Sequence, residues 1–254
     1  MALRFTEPYK SERVYSYWLP RITLLEITPL THLLDDRRDL IVADVGAMRG
    51  LWSRAFLDVL GDRTSAVHLF EPLATNVRNM ERMRADGFFR PYEALMSVNN
   101  VALGADSGRM KLFFDREITG LASLIQRESR FLEKTFPLGK ETEVEIISLD
   151  HYCAARNLEE IDVLKIDTEG YEKQVLLGAS ELLRKKRIFC VVFEFGVHQL
   201  AERNIFKDYW ELFDSSGYDM FEVEAGDYRT RRISRYSTQY ETFQQNYTYL
   251  ARAR

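Results

Sequence analysis

Apolar and amphipathic stretches alternate along the chain from Leu40 onward. Short apolar runs predict β-strands at 40–45, 66–70, a segment ending near Asn100, 161–166 and 188–195. Stretches with helical periodicity predict helices at about 50–60, 74–86, 150–157 and 170–185. Strands that alternate with helices form a parallel sheet with helices on both faces. The pattern therefore predicts a doubly wound α/β fold.

Residues 110–149 interrupt this alternation. Met110–Phe114 and Glu143–Ile147 have the composition of strands and predict an added strand pair. The residues between them are polar and form a longer connection than compact α/β units normally use. We therefore expect an insertion or lid over 110–149.

Both ends of the chain depart from the pattern as well. Tyr218–Glu224 and Asn246–Ala251 alternate apolar and polar residues and predict a C-terminal antiparallel hairpin, with a polar loop over 225–245 between its strands. Residues 1–38 are rich in apolar side chains but contain two prolines, and we expect short helices there. These helices would pack on the core or form a homodimer. The expected organisation is an N-terminal helical extension at 1–38 and one domain at 39–254.

Composition narrows the class of protein. Thirty-five Lys and Arg against 39 Asp and Glu give a net charge of −4, which gives no support to a general nucleic-acid or membrane role. The two cysteines, Cys153 and Cys190, have no metal or redox spacing and suit a reducing compartment. The N-terminus is polar, and the longest apolar run, Ile188–Phe193, is too short to span a membrane. We expect a cytoplasmic protein without a membrane span.

The most informative motif is a glycine turn after the first predicted strand. Asp44 ends the strand, Gly46 and Gly50 frame the turn, and Ala47, Met48 and Arg49 lie within it. Glu71 follows the next strand, 21 residues after Gly50, and precedes Pro72. In nucleotide-binding α/β units a carboxylate at this position accepts hydrogen bonds from both hydroxyls of a ribose. The spacing therefore predicts an adenosyl site.

The glycine spacing indicates which adenosyl ligand binds. A dinucleotide fold uses G-x-G-x-x-G so that the backbone can approach a pyrophosphate. This chain lacks the middle glycine and places Asp44 near the turn, where its charge would repel a pyrophosphate. S-adenosylmethionine has no phosphate, and its sulfonium and ammonium groups tolerate carboxylates. We therefore expect S-adenosylmethionine as the cofactor.

Ligands of open α/β sheets bind beyond the carboxyl ends of the strands. Methyl transfer to a hydroxyl requires alignment of the reactants and a base. Three candidates for this base follow strand ends: Asp167, Glu194 and His198. Asp167 could instead hold the amino-acid end of the cofactor or cap a helix. Their spacing matches no metal motif, so we expect no metal.

The chain resembles the FkbM-type S-adenosylmethionine-dependent methyltransferases between about Leu40 and Phe195. The resemblance rests on five segments: Asp44-Val45-Gly46-Ala47-x-x-Gly50, Phe70-Glu71-Pro72, Asn100-Val101-Ala102-Leu103-Gly104, Ser148-Leu149-Asp150 and the run from Ile161 to Glu172. It implies a class I methyltransferase (Rossmann-like) three-layer sandwich, with a seven-stranded, mostly parallel sheet and a C-terminal antiparallel hairpin. It also places Asn100, Val101 and Ala102 near the adenine. Met48-Arg49 departs from the turn that is usual in the family.

The resemblance further implies O-methylation, often of a sugar hydroxyl in a polysaccharide, glycolipid or natural product. Tyrosines and arginines between the last two strands, notably Arg231 and Arg232, suggest recognition of an acidic or phosphorylated glycan. An NAD(P)-dependent reductase or epimerase and a non-catalytic cofactor-binding protein are the alternatives. RNA methylation ranks below them, because the basic segment is short and lacks a stacking motif.

Overall fold

The computed structural model describes residues 19–126, 138–223, 229–244 and 246–254. Residues 1–18 of the predicted extension, 127–137 of the predicted lid, Glu224 of the predicted hairpin and residues 225–228 and 245 of the predicted loop lie outside the described residues. None of the described helices is both long and apolar enough to cross a membrane.

A large sheet of eight described strands runs through the protein in the order β10-β9-β11-β8-β7-β1-β2-β3. Its strands are β1 (Leu40–Val45), β2 (Thr64–Phe70), β3 (Met96–Asn99), β7 (Ile161–Ile166), β8 (Ile188–Phe195), β9 (Tyr218–Val223), β10 (Thr230–Ile233) and β11 (Tyr247–Ala253). The neighbouring strands β3, β2, β1, β7 and β8 pair in parallel. Strand β11 pairs antiparallel with β8 and β9, and β10 pairs antiparallel with β9. The predicted α/β fold with a terminal antiparallel hairpin is confirmed.

The sheet has one strand more than the seven expected. The extra strand β10 lies in the segment predicted as a loop, and its sequence Thr-Arg-Arg-Ile shows little apolar alternation. Arg231 pairs with Glu222 and Arg232 pairs with Asp219, both on β9. Charged side chains are common on edge strands, where they discourage pairing with other chains. Both arginines are thus paired with acids of β9, and their role in binding a glycan stays a prediction.

Helices cover both faces of the sheet. They are α1 (Thr28–Thr31), α2 (Leu51–Leu60), α3 (Ala74–Ala85), α4 (Leu149–Arg156), α5 (Glu172–Leu177), α6 (Ser180–Arg184) and α7 (Phe206–Ser215). The single helix predicted over 170–185 is divided into α5 and α6. Asp150 of α4 accepts hydrogen bonds from the amides of Glu181 and Leu182 at 2.9 and 3.0 Å and so satisfies the start of α6.

The N-terminal segment packs into the main core. Ile27 and the following apolar residues Leu30, Leu33 and Leu34 are almost completely buried, in the same core cluster as side chains of the large sheet. These four side chains therefore pack on the core, which is one of the two alternatives predicted for this segment, whereas Leu25 is 41% exposed.

A second sheet lies beside the carboxyl edge of the first. It contains β4 (Ala102–Leu103), β6 (Lys140–Ile147) and β5 (Gly108–Phe114) in that order. β5 and β6 pair antiparallel, as predicted for this segment. Its apolar side chains, including Leu112 and Ile146, form a small separate core.

Candidate active site

A cleft opens between the carboxyl ends of the parallel strands and the small sheet. Residues of both sheets and of the segment after β5 line it: Val45, Gly46, Met48, Phe70, Glu71, Pro72, Asn76, Val101, Ala102, Leu103, Leu112, Thr119, Gly120, Ala122, Ser123, Leu124, Asp167, Thr168 and Tyr171. None of these described lining residues is Lys or Arg.

The turn after β1 forms the floor of the cleft. Gly46 has a φ of +76°, and a Cβ at this position would lie 1.8 Å from the carbonyl oxygen of Asp167. The amides of Gly46 and Ala47 both donate to the carbonyl of Phe70 at 3.0 Å. The turn is therefore fixed against β2 and β7 at once, and only glycine permits that approach.

Glu71 is a buried carboxylate at one side of the cleft, with 3% of its surface exposed. Its Oε2 accepts from the amide of Met48 and its Oε1 from the amide of Leu73, both at 2.8 Å. Burial raises the pKa of Glu71 to about 7, against the opposing effect of these hydrogen bonds. The side chain is thus held in place at the cleft, where a carboxylate can accept from a ligand hydroxyl.

Apolar residues continue the wall beyond Glu71. Val101 and Ala102, which the sequence placed near the adenine, line the cleft with Leu112 and Leu124. Asn100 is exposed and is not among the lining residues. Its amide donates to the carbonyls of Glu71 and Pro72 at 2.9 and 3.0 Å, so it fixes the backbone beside the cleft.

The segment after β5 covers the cleft and is fastened at two points. Asn76 of α3 donates to the carbonyl of Thr119 at 2.8 Å and accepts from its amide at 3.2 Å. Ser123 donates its hydroxyl to the carbonyl of Glu169 at 3.0 Å. Asn76, Thr119 and Ser123 are each about 1% exposed. The role of these three residues was not predicted from the sequence, because small polar residues in a loop have no periodic pattern.

A buried ion cluster lies beneath the turn. Lys165 Nζ is 3.1 Å from Asp44 Oδ1 and 3.6 Å from Asp167 Oδ2, and it donates to the carbonyl of Gly46 at 3.2 Å. Asp44 is completely buried and also accepts from the Ser53 hydroxyl at 2.6 Å. Asp44 therefore does not reach the cleft as predicted; it anchors Lys165, which supports the backbone of Gly46.

Burial and charge shift the pKa values in this cluster. Burial alone would lower the pKa of Lys165, but the carboxylates of Asp44 and Asp167 raise it above its usual range. Desolvation raises the pKa of Asp167 to about 6, although Lys165 opposes the shift. Glu26, just before α1, interacts with the same charges, and burial raises its pKa to about 7. The N-terminal segment thus adds another acidic side chain to the buried ion cluster.

His198 and Glu194 lie in a polar network next to the Asp167 turn. His198 Nδ1 is 2.8 Å from Glu169 Oε2 and 3.0 Å from Asn246 Nδ2. Asn246 Nδ2 donates to Glu194 Oε2 at 2.9 Å. Burial, followed by the charge of Asp167, raises the pKa of Glu194 well above its usual value. The part of the chain that the structure describes offers no hydrogen-bond partner to His198 Nε2.

The structure brings together only some of the predicted site residues. Gly46, Met48, Glu71, Pro72, Val101, Ala102 and Asp167 line one cleft. Asp44, Ala47, Arg49, Gly50 and Asn100 belong to the same turns but do not line it. Glu194 and His198 lie in the adjacent network rather than in the lining.

The cleft fits an adenosyl sulfonium. Glu71 offers carboxylate oxygens for a ribose, the Val101–Leu112 side offers apolar contact for a base, and Asp167 offers a negative charge for cationic groups. No described lining residue is a cation that would compensate the charge of a pyrophosphate, and the turn lacks the middle glycine of a dinucleotide fold. In the large sheet, the antiparallel strand β11 lies between β8 and β9. This strand order and the cleft together are those of a class I S-adenosylmethionine-dependent methyltransferase. The model described as "Methyltransferase FkbM domain" matches residues 44–220, and the chain belongs to that family.

Solved structures of methyltransferases are distantly similar. A methyltransferase FkbM from Methylobacillus flagellatus KT is 13% identical with a TM-score of 0.48, over 84% of this chain and 43% of that chain. Magnesium protoporphyrin IX methyltransferase from Synechocystis PCC 6803, solved with bound S-adenosylmethionine, is 8% identical with a TM-score of 0.47, over 99% and 86%. An S-adenosylmethionine-dependent O-methyltransferase from Thermotoga maritima is 9% identical with a TM-score of 0.42, over 88% and 63%. No curated protein matches the chain.

Proposed function

We propose that this methyltransferase acts on a hydroxyl group of a neutral sugar in a polysaccharide, glycolipid or natural product. The observation that supports this is the acidic character of the edge where an acceptor would enter. Asp167, Glu169 and Glu194 lie there within electrostatic range of one another. The cation in this group, Lys165, is buried and already paired.

An edge of this kind suits hydroxyl donors. Carboxyl oxygens accept hydrogen bonds from sugar hydroxyls whether or not the group is charged, whereas a phosphate or an RNA backbone would be repelled by the carboxylate form of these acids. The acidic edge therefore favours a neutral sugar over the phosphorylated glycan suggested by the arginines of β10, and over RNA.

His198 is the base in this proposal. S-adenosylmethionine, when bound, supplies a methyl group on a positively charged sulfur. An acceptor hydroxyl becomes a good nucleophile only as its proton leaves, so a base must lie within hydrogen-bond reach. The Nε2 of His198 has no partner among the described residues. Asp167 faces the cleft and would interact with the positive end of the cofactor, while Glu194 holds Asn246 beside the imidazole.

Methyl transfer from labelled S-adenosylmethionine to a panel of neutral glycosides, glycolipids, nucleotide sugars and RNA tests the proposal. We expect an O-methyl group on a neutral sugar, identified by mass spectrometry. The substitution His198→Asn should lower the rate of methyl transfer about 100-fold or more and leave the affinity for S-adenosylhomocysteine unchanged. His151→Asn, an exposed histidine on α4, is the matched control. Transfer only to RNA or to nitrogen, or full activity of His198→Asn, would contradict the proposal.

A further inference from the structure

We infer that Glu169 is a positioning residue that keeps the proton of neutral His198 on Nδ1 and so leaves Nε2 free to act as a base. The inference rests on the proposed role of His198. The contact that carries it is the 2.8 Å distance between Glu169 Oε2 and His198 Nδ1, made by side chains that are 14% and 18% exposed.

Two groups compete for the same ring nitrogen. Glu169 offers a carboxylate, which requires a proton on Nδ1, whereas Asn246 Nδ2 at 3.0 Å offers a donor, which requires a lone pair there. Nδ1 satisfies one of them at a time. A bond to a charged acceptor is shorter and stronger than a bond between neutral groups, so Glu169 determines the tautomer. Asn246 has Glu194 as its own acceptor at 2.9 Å.

The backbone at Glu169 is held in an unfavourable conformation. Its φ is +59°, in the left-handed region that long side chains seldom adopt. Such outliers persist only where surrounding structure enforces them, and they concentrate at functional sites. At this position the left-handed turn directs a carboxylate at an imidazole, so the strained conformation has an identifiable result.

Glu172 enforces this turn. It is 1% exposed, and its carboxylate accepts from the amide and hydroxyl of Thr168 at 2.7 and 3.0 Å and from the amide of Gly170 at 3.1 Å. The same carboxylate accepts from Gln199, the neighbour of His198 in the chain. One buried side chain therefore fixes both the turn that bears Glu169 and the turn that bears His198.

The arrangement allows a test that separates positioning from structural support. Glu169→Gly removes the carboxylate and introduces the residue that best tolerates a φ of +59°. We expect its thermal stability to equal or exceed that of the wild type. We also expect the proton of neutral His198 to move to Nε2, because Asn246 then donates to Nδ1. Nitrogen-15 NMR of the imidazole in the folded protein, without any acceptor, identifies the protonated nitrogen.

Two further variants complete the experiment. Asn246→Ala should keep the proton on Nδ1, and Glu202→Ala, an exposed acid on the turn after His198, should change neither tautomer nor activity. Glu169→Gly should lower kcat at least tenfold without changing the affinity for S-adenosylhomocysteine. A wild-type proton on Nε2, or an unchanged tautomer in Glu169→Gly, would overturn the inference. If the tautomer changes as expected and no sugar accepts a methyl group, the proposed function fails while the role of Glu169 stands.

Discussion

Gly46 and Asp167 meet backbone to backbone: a Cβ on Gly46 would lie 1.8 Å from the carbonyl oxygen of Asp167. This contact joins the turn after β1 to the turn after β7, which places the floor of the cleft beside the acidic edge. A methyl group at 46 must push the two turns apart, and its φ of +76° is unfavourable for alanine.

Gly46→Ala should therefore weaken cofactor binding strongly. We expect the Kd for S-adenosylhomocysteine to rise at least tenfold in calorimetry and the free energy of unfolding to fall by about 1–3 kcal/mol. Gly108→Ala is the control for backbone strain without a clash, because its φ of +158° also disfavours alanine but a Cβ at 108 meets no atom within 4 Å. Normal binding by Gly46→Ala would show that the two turns are not part of the cofactor site.

Cofactor affinity should depend on pH through Glu71. Its pKa is raised to about 7 by burial, so the carboxylate that accepts hydroxyl protons is lost as the pH falls below that value. We expect S-adenosylhomocysteine to bind about tenfold more weakly at pH 6 than at pH 8, which corresponds to protonation of one group. Glu71→Gln should bind weakly at both pH values. If the pH dependence survives in Glu71→Gln, another group is responsible.

The same shift predicts how stability varies with pH. A carboxyl group whose pKa is higher in the folded than in the unfolded state binds more protons when folded, so stability rises as the pH falls through the interval between the two values. For Glu71 this interval runs from 4.5 to about 7. Urea unfolding should therefore give a larger free energy at pH 5.5 than at pH 7.5, with Glu71 contributing at most about 3 kcal/mol. Glu71→Gln should flatten the curve, and equal slopes in both proteins would contradict the assignment.

The sequence predicted the parts of the fold that depend on local apolar patterns. β1, β7 and β8 were predicted at the residues where they occur, because each is a continuous run buried in a parallel sheet. β10 was missed since its arginines obscure the pattern and it pairs only on one side. Helix α5 ends just before Gly178, where a Cβ would lie 1.9 Å from the carbonyl oxygen of Gly104, and α6 then starts with Asp150 of α4 as acceptor for its first amides. Neither contact is contained in the local periodicity.

The site was predictable to the extent that glycine spacing and strand ends determine it. Gly46, Glu71 and Asp167 were singled out and line the cleft. The sequence could not distinguish a residue in the cleft from one that supports it, and so Asp44 and Asn100 were counted as cofactor ligands. Asn246 and Glu26 lie far from these motifs in the chain, and only the folded topology brings them to the acidic edge.

Asn76 should control how long the cofactor stays bound. Its two hydrogen bonds to Thr119 fasten the segment that covers the cleft, and Asn76→Ala leaves buried backbone groups of Thr119 without partners. We expect S-adenosylhomocysteine to dissociate about tenfold faster in stopped-flow measurements, as a loss of about 1.4 kcal/mol implies. Asn79→Ala tests the specificity of the effect, because Asn79 is equally buried on α3 but its Oδ1 has no partner among the described residues. Equal acceleration in both variants would point to a general effect on the helix.

Lys165 should matter more for folding than for chemistry. Its ammonium group compensates the buried carboxylate of Asp44, so Lys165→Met leaves a charge in the core and should cost about 3–5 kcal/mol in the free energy of unfolding. Asp44→Asn alone should be destabilising as well, since it leaves the buried ammonium with a weaker partner. In the double variant Lys165→Met with Asp44→Asn, the buried charge of Asp44 is removed together with its partner, and we expect part of the loss to be recovered. Asp167, 3.6 Å from the ammonium in the wild type, still loses its cation. Urea unfolding of the four proteins gives the coupling energy, and simple additivity of the two losses would show that the pair does not act as a unit.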